Sequence, residues 1–261
     1  MNLFISLEMN FEEMRDMIYV LHGCNACWAN HPKYKNLINK VTYDKVIYGE
    51  LSETEQEFFN VISKDFSSRQ DFGSLYLYQP TEGLTPSKLE LIAYEYNSQL
   101  ADIGKKLDFI IVDYVGLMIP DKNDRYGDWN IDLNGIIKKL KNLALNFDSG
   151  RKIRVITPFQ INRTGHKEAE KNDGQFKLSA LSNANEAERS SDLIITTYMS
   201  EEMKKAGLIK IGCLAHRKGV EFDPFEAKID FGTKHIKDII QSSTNTQVDK
   251  DSGIQYIPLD A

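Results

Sequence analysis

The sequence predicts an α/β fold with a mainly parallel central sheet. Three observations carry that prediction. Short apolar runs that read as strands alternate with helix-spaced patterns along the 261 residues. One run, Leu107-Asp108-Phe109-Ile110-Ile111-Val112-Asp113-Tyr114, places four consecutive apolar residues before a lone carboxylate, as in a parallel strand covered on both faces. The last two runs, at 208–215 and 226–231, lie close in sequence around a turn at Arg217-Lys218-Gly219, which predicts an antiparallel extension at one edge.

The elements follow in chain order. Residues 3–7, Leu-Phe-Ile-Ser-Leu, read as a buried strand. Asn10 followed by Glu13 predicts a capping box, and Met14, Met17, Ile18 and Leu21 then recur at helical spacing. Residues 32–72 show weak periodicity, with a short helix expected near Ser52 and a strand at 74–78. Thr85-Pro86 is a helix start, an N-cap followed by the proline that suits the first helical position. Leu89, Ile92, Ala93, Tyr96 and Leu100 mark that helix's buried face. A polar loop over 120–128 precedes the most regular helix, with Leu133, Ile136, Ile137, Leu140, Leu143, Ala144 and Phe147 on one side and Gly150 placed to end it. Residues 155–160 read as a buried strand with a polar end, 164–178 as a long loop and 193–198 as a strand. The domain is expected to span 1–240, with a polar tail from 241 to 261.

Composition excludes several classes. Hydrophobic content of 41% and charged content of 27% are ordinary for a globular protein, and no apolar run spans a bilayer. Three cysteines give no disulfide framework, so a cytoplasmic setting is expected. The net charge of −6 announces no nucleic-acid binder in bulk, so any such surface must be local. Cys24 and Cys27, flanked by His22 and His31, could supply four zinc ligands, but their spacing is not a usual zinc pattern. Small apolar residues at a helix end is the favoured reading. By itself Asp113 reads equally as a turn residue after a core strand and as a carboxylate holding Mg²⁺ beside a phosphate.

Five segments then fall in a known order. "LFISLEM" at 3–9, "LDFIIVDYVGLM" at 107–118, "ITPFQINR" at 156–163, "LSALSNANEAERSSDLIITTY" at 178–198 and "AHRKG" at 215–219 resemble successive motifs of DnaB-type replicative helicases. The resemblance implies a RecA-like P-loop NTPase core, ATP and Mg²⁺ as cofactors, single-stranded DNA as partner, assembly into a hexameric ring, and a primase or loader as further partner of the complete protein. It implies that Glu8 orients or deprotonates the attacking water. Asp113, the Walker B carboxylate, would bind Mg²⁺. Gln160 would sense the γ-phosphate, and Arg217 would reach a neighbouring subunit's site as an arginine finger. Ser182, Asn183 and Asn185 stand in the DNA-facing loop. Taken alone, each residue also has a bland reading: a helix-start Glu, a strand-end Gln, an exposed turn Arg.

The departures are specific. No G-x-x-x-x-G-K-[ST] segment occurs in the chain. In the family that loop precedes the "SLEM" strand, so the expectation is a fragment or split product, favoured over a degenerate relative, that lacks the P-loop strand and helix, is inactive alone, and has a sheet exposing an edge or closing a gap, with poor solubility as a result. Ala215 stands where the family usually has Lys, and Ser182-Asn183-Ala184-Asn185 where it has Arg-Glu-x-Gly. Two other readings stay open: a non-catalytic RecA-like module that binds DNA or a protein, and another RecA-like ATPase such as a recombinase.

Overall fold

A computed structural model of the chain describes residues 1–69, 73–181 and 185–239. Its strands form two four-stranded sheets among the described residues. The first contains β1 (Asn2–Ser6), β2 (Leu75–Tyr78), β3 (Phe109–Asp113) and β4 (Arg154–Ile156), in the order β2-β1-β3-β4. All its pairings are parallel, with Ser6 opposite Asp113 and Ile110 opposite Val155. The second contains β5 (Leu193–Tyr198), β6 (Leu208–His216), β7 (Phe225–Asp230) and β8 (His235–Asp238), antiparallel throughout and in sequence order. The expected antiparallel extension is thus a sheet of its own. β4 closes one sheet and β5 the other, and neither has a strand on its outer side among the described residues.

The helices form where local chemistry starts them. Asn10 and Glu13 make the capping box of α1 (Phe11–His22): the Glu13 amide donates to Asn10 Oδ1 at 2.8 Å and the Asn10 amide to Glu13 Oε2 at 3.0 Å. Thr85 caps α4 (Pro86–Ala101). Asp128 caps α5 (Trp129–Gly150) through the amides of Asn130 and Ile131 at 2.8 and 3.2 Å. The regular part of α5 ends before Phe147, whose ψ is extended, and Asp148 and Ser149 then turn to positive φ ahead of Gly150. The Asp148 amide donates to the Tyr94 hydroxyl, and the Asp148 carboxylate accepts from Arg151 and Asn97.

Leu89, Ala93 and Leu100 of α4 and Leu133, Ile136, Leu140 and Phe147 of α5 pack on Leu3, Ile5, Ile110 and Val112 to form the main core. The strand next to Asp113 is not sealed on both sides, as its apolar run predicts. Ile110 and Val112 are fully buried, while Phe109 and Ile111, facing the other way, are half-buried. A second core holds Val20, Trp28, Tyr34, Val41, Phe58 and Ile62. It joins α1 to α2 (Tyr43–Tyr48) and α3 (Glu53–Ser68), two helices where the sequence predicts one short helix. Its ring contacts, such as Tyr34 on Phe58 at 4.9 Å, come from aromatic residues without clean helical spacing, which is why periodicity misses it.

Two further expectations fail locally. Strand β4 is three residues long, with Arg154 and Ile156 exposed, rather than a buried strand reaching Gln160. Pro158 has no amide to donate to a ladder, so pairing stops before it. The loop expected over 164–178 contains α6 (Arg163–Lys171), capped by Asn162 Oδ1 on the Gly165 amide at 2.7 Å. Only Gly165 and Ala169 of that helix are buried, so it carries almost no apolar signal. A Cβ at Gly165 would stand 2.5 Å from the Ala180 Cβ; glycine lets α6 sit directly on the Leu178–Leu181 turn. The short helices α7 (Asn185–Ser190) and α8 (Glu201–Ala206) flank β5. The boundary expected at 240 lies just beyond the last described residue.

Candidate functional site: the carboxyl edge of the parallel sheet

Because all four strands of the first sheet are parallel, their carboxyl ends lie along one edge, the place where α/β sheets collect ligand-binding groups. Glu8 stands two residues past β1 and Asp113 ends β3. The Ser6–Asp113 pairing and the Leu7 amide, which donates to the Asp113 carbonyl at 2.8 Å, hold the two segments in register. Ser6, fully buried, accepts the Met9 amide at 2.8 Å and fixes the turn that carries Glu8 outward. The Glu8 side chain is exposed and that of Asp113 half-buried. Neither carboxylate has a hydrogen-bond or ion-pair partner among the described residues. Two unpaired carboxylates at a sheet edge fit a hard, oxygen-seeking cation such as Mg²⁺.

Beyond Asp113 the chain makes a cis peptide to Tyr114. The Val115 amide then donates to Thr157 Oγ1 at 2.9 Å, tying the end of β3 to the segment after β4. Gln160 comes four residues after β4 rather than at a strand end, and it is exposed. It borders a cavity of about 190 Å³ together with Tyr114, Trp129, Leu133, Phe159 and Asn162. A Cβ at Gly116 would come 2.6 Å from Tyr114 Cε2, so the glycine makes room for that ring.

Arg217 belongs to the second sheet, in the turn after β6. Its guanidinium donates to the Arg189 carbonyl, and its amide donates to the Asp192 carbonyl at 2.9 Å. Asp192 is bound by Lys141 of α5 at 2.7 Å, which holds its carboxyl below the usual range. These bonds dock the Arg217 turn and α7 on α5. The structure therefore brings Glu8, Asp113 and Gln160 to the edge of one sheet and places Arg217 on the other, bonded within its own neighbourhood. Ser182 and Asn183 lie outside the described residues, as does the side chain of Asn185.

The cysteines do not gather into a zinc site. Cys24 is buried, which pushes its thiol up, away from the thiolate that zinc needs, whereas Cys27 is exposed. His22 bonds Asp65 at 2.7 Å, and no cluster of three or more metal-ligating side chains occurs among the described residues.

With this geometry in place, comparison with known proteins decides the lineage. The family model described as DnaB-like helicase C terminal domain matches residues 35–222, well over half of the chain. This chain belongs to that family. The match includes Asp113, Gln160 and Arg217 of this DnaB-like domain but begins after Glu8, whose position rests on the register of β1 with β3. No curated protein matches. Among 161 matching chains of solved structure is one described as an ATPase domain, with a TM-score of 0.71 at 16% identity over 91% of this chain and 74% of that one. That likeness establishes the RecA-like ATPase fold. No described helix is long and apolar enough to cross a membrane.

Sequence reasoning missed Thr157, which holds the Val115 amide, and Trp129, which borders the cavity. Thr157 sits inside a run that reads as plain strand. The signal for Trp129 was a large aromatic at the first helical position after a charged loop, a place where core packing seldom puts one.

Proposed function

We propose that this DnaB-like domain is the ATPase motor portion of a ring helicase, which couples ATP hydrolysis to translocation on single-stranded DNA and to unwinding during replication. One observation carries the reading: at the carboxyl edge of a RecA-like sheet, the pairing of Ser6 with Asp113 brings the Glu8 turn next to the end of β3, and the two carboxylates are unpaired among the described residues. Asp113 would hold Mg²⁺, which supplies charge neutralisation at the phosphates when bound. Glu8 would orient the attacking water and accept its proton. Gln160 would respond to the γ-phosphate and, through the segment that continues into α6, to the DNA-facing loop. Arg217 would act on a neighbouring subunit in a hexameric ring, after releasing the Arg189 carbonyl. Ser182, Asn183 and Asn185 would contact DNA through backbone amides, since none of them offers a cation to phosphate.

The cradle for phosphates is not among these residues, since the sequence has no G-x-x-x-x-G-K-[ST]. A second reading, a RecA-like module that binds DNA or a partner without turnover, draws on that fact. Titration of the chain with a fluorescent ATP analogue, with and without Mg²⁺, separates the two. The motor reading expects Mg²⁺-dependent binding once a G-x-x-x-x-G-K-[ST] strand and helix are joined ahead of residue 1, and expects Asp113→Ala to remove it. A folded protein that binds no nucleotide even with that segment supplied overturns it in favour of the non-catalytic module.

A further inference from the structure

We propose that the cavity at the carboxyl side of β3 and β4 takes one unstacked nucleobase of a single strand. The proposal rests on the DNA-binding reading above and names the contact that reading leaves open. Three rings border the cavity, from Tyr114, Trp129 and Phe159, and Leu133 lines it beside them. Trp129 is 48% exposed, although the other tryptophan, Trp28, is buried at 6%. An indole so exposed beside a cavity offers a stacking face, and every base has a complementary π-face. Gln160 adds a free amide at the rim, able to donate to and accept from a base edge. Asn162 also lines the cavity, but its side chain is committed to the Gly165 amide and the Ala180 carbonyl.

Size selects the ligand. A volume of about 190 Å³ falls below the ~300–1,000 Å³ of sites that enclose a whole small molecule. It admits a single flat ring system and leaves the sugar and phosphates outside.

The segments that lead into the lining residues also carry cations. The acids of the loop before Trp129 are already engaged, since Asp121 and Asp124 both pair with Lys139 and Asp128 caps α5; in the first turn of α5, Asp132 accepts the Tyr126 amide at 2.7 Å. Lys122 and Arg125 in that loop, and Arg163 next to Asn162, have no ion-pair partner among the described residues. Those cations can meet the backbone phosphates of a strand whose base enters the cavity. The arrangement also puts a base against Gln160, so occupancy by DNA and the position of that amide become linked.

The test compares two strands about ten nucleotides long, oligothymidylate and its abasic counterpart, by anisotropy of a labelled strand and by tryptophan emission. Trp28 is shielded, so quenching reports Trp129. Oligothymidylate is expected to quench emission and to bind about tenfold more tightly than the abasic strand. Trp129→Ala should lower its affinity to the abasic level and leave the abasic affinity unchanged, while Trp129→Phe keeps most of the preference. Thermal melts of both variants verify the fold. Equal binding of both strands, equal loss for both in Trp129→Ala, or binding without quenching overturns the base pocket while leaving DNA binding intact. Binding of neither strand overturns the DNA reading, and this inference with it.

Discussion

In the parallel sheet, Leu3, Ile5, Ile110 and Val112 have no solvent exposure, whereas in the antiparallel sheet Leu193 and Ile195 of β5 stand 46% and 54% exposed. The same strand chemistry meets different cover. The first sheet lies under α4 and α5, and its inner face merges with theirs into one core. The second sheet has only short neighbours and buries few large side chains, chiefly Tyr198 and Ile209. It is held by its own ladders and by discrete ties. Lys141 bonds Asp192, Lys210 bonds Asp173, and the Gly232 carbonyl accepts the Tyr43 amide at 2.8 Å from the helical side. A covered parallel sheet derives its stability from buried area, and an uncovered antiparallel one from local pairing. The carboxylates Glu8 and Asp113 sit on the first kind of support and Arg217 on the second, which suits a fixed site and a movable turn.

The largest test of that contrast is core truncation. Ile110→Ala should cost about 2–5 kcal/mol in urea unfolding, whereas Ile195→Ala, half in solvent already, should cost less than about 0.5 kcal/mol. Similar losses at both positions would show that β5 is covered in solution. Hydrogen exchange gives the next effect. Amides of β1 and β3 should exchange only through global unfolding, and those on the open side of β5 by local opening, orders of magnitude faster.

Acid sharpens the comparison through the helical side. Glu55 is held down to about 2 from the usual 4.5, first by Lys45 Nζ at 2.6 Å and then by the Ser52 amide. Between those values the unfolded chain binds more protons than the native one. The stabilisation is thus complete above pH 4.5 and lost as pH falls towards 2. Urea midpoints at pH 5 and 3 should drop for the native chain and change less for Glu55→Gln. Smallest is an association effect. β4 and β5 offer unpaired edges with Ile156 and Ile195 about half exposed, at 50% and 54%. Light scattering should show concentration-dependent self-association, reduced by Ile156→Lys or Ile195→Lys.

The sequence by itself determined what short-range chemistry controls. The capping box at Asn10, the Thr85-Pro86 start and the strand at 193–198 follow from neighbouring residues and appear as read, and the apolar run into Asp113 forms its strand, though buried fully on one face only. The ordered motifs placed the chain in its lineage. Tertiary structure alone decided the rest, because it depends on pairings between distant segments. The order β2-β1-β3-β4 sets the Glu8 turn beside the end of β3 at Asp113, although more than a third of the chain separates them in sequence. The division into two sheets, the aromatic second core and the placing of Arg217 against Arg189 leave no periodic trace. Neither does the cavity, whose walls come from residues 114 to 181 and meet only once β3, α5 and α6 have packed. Asp113 could be read as a strand-end carboxylate from eight residues; that it stands unpaired, in register with Ser6 two residues before a second carboxylate, required the whole sheet.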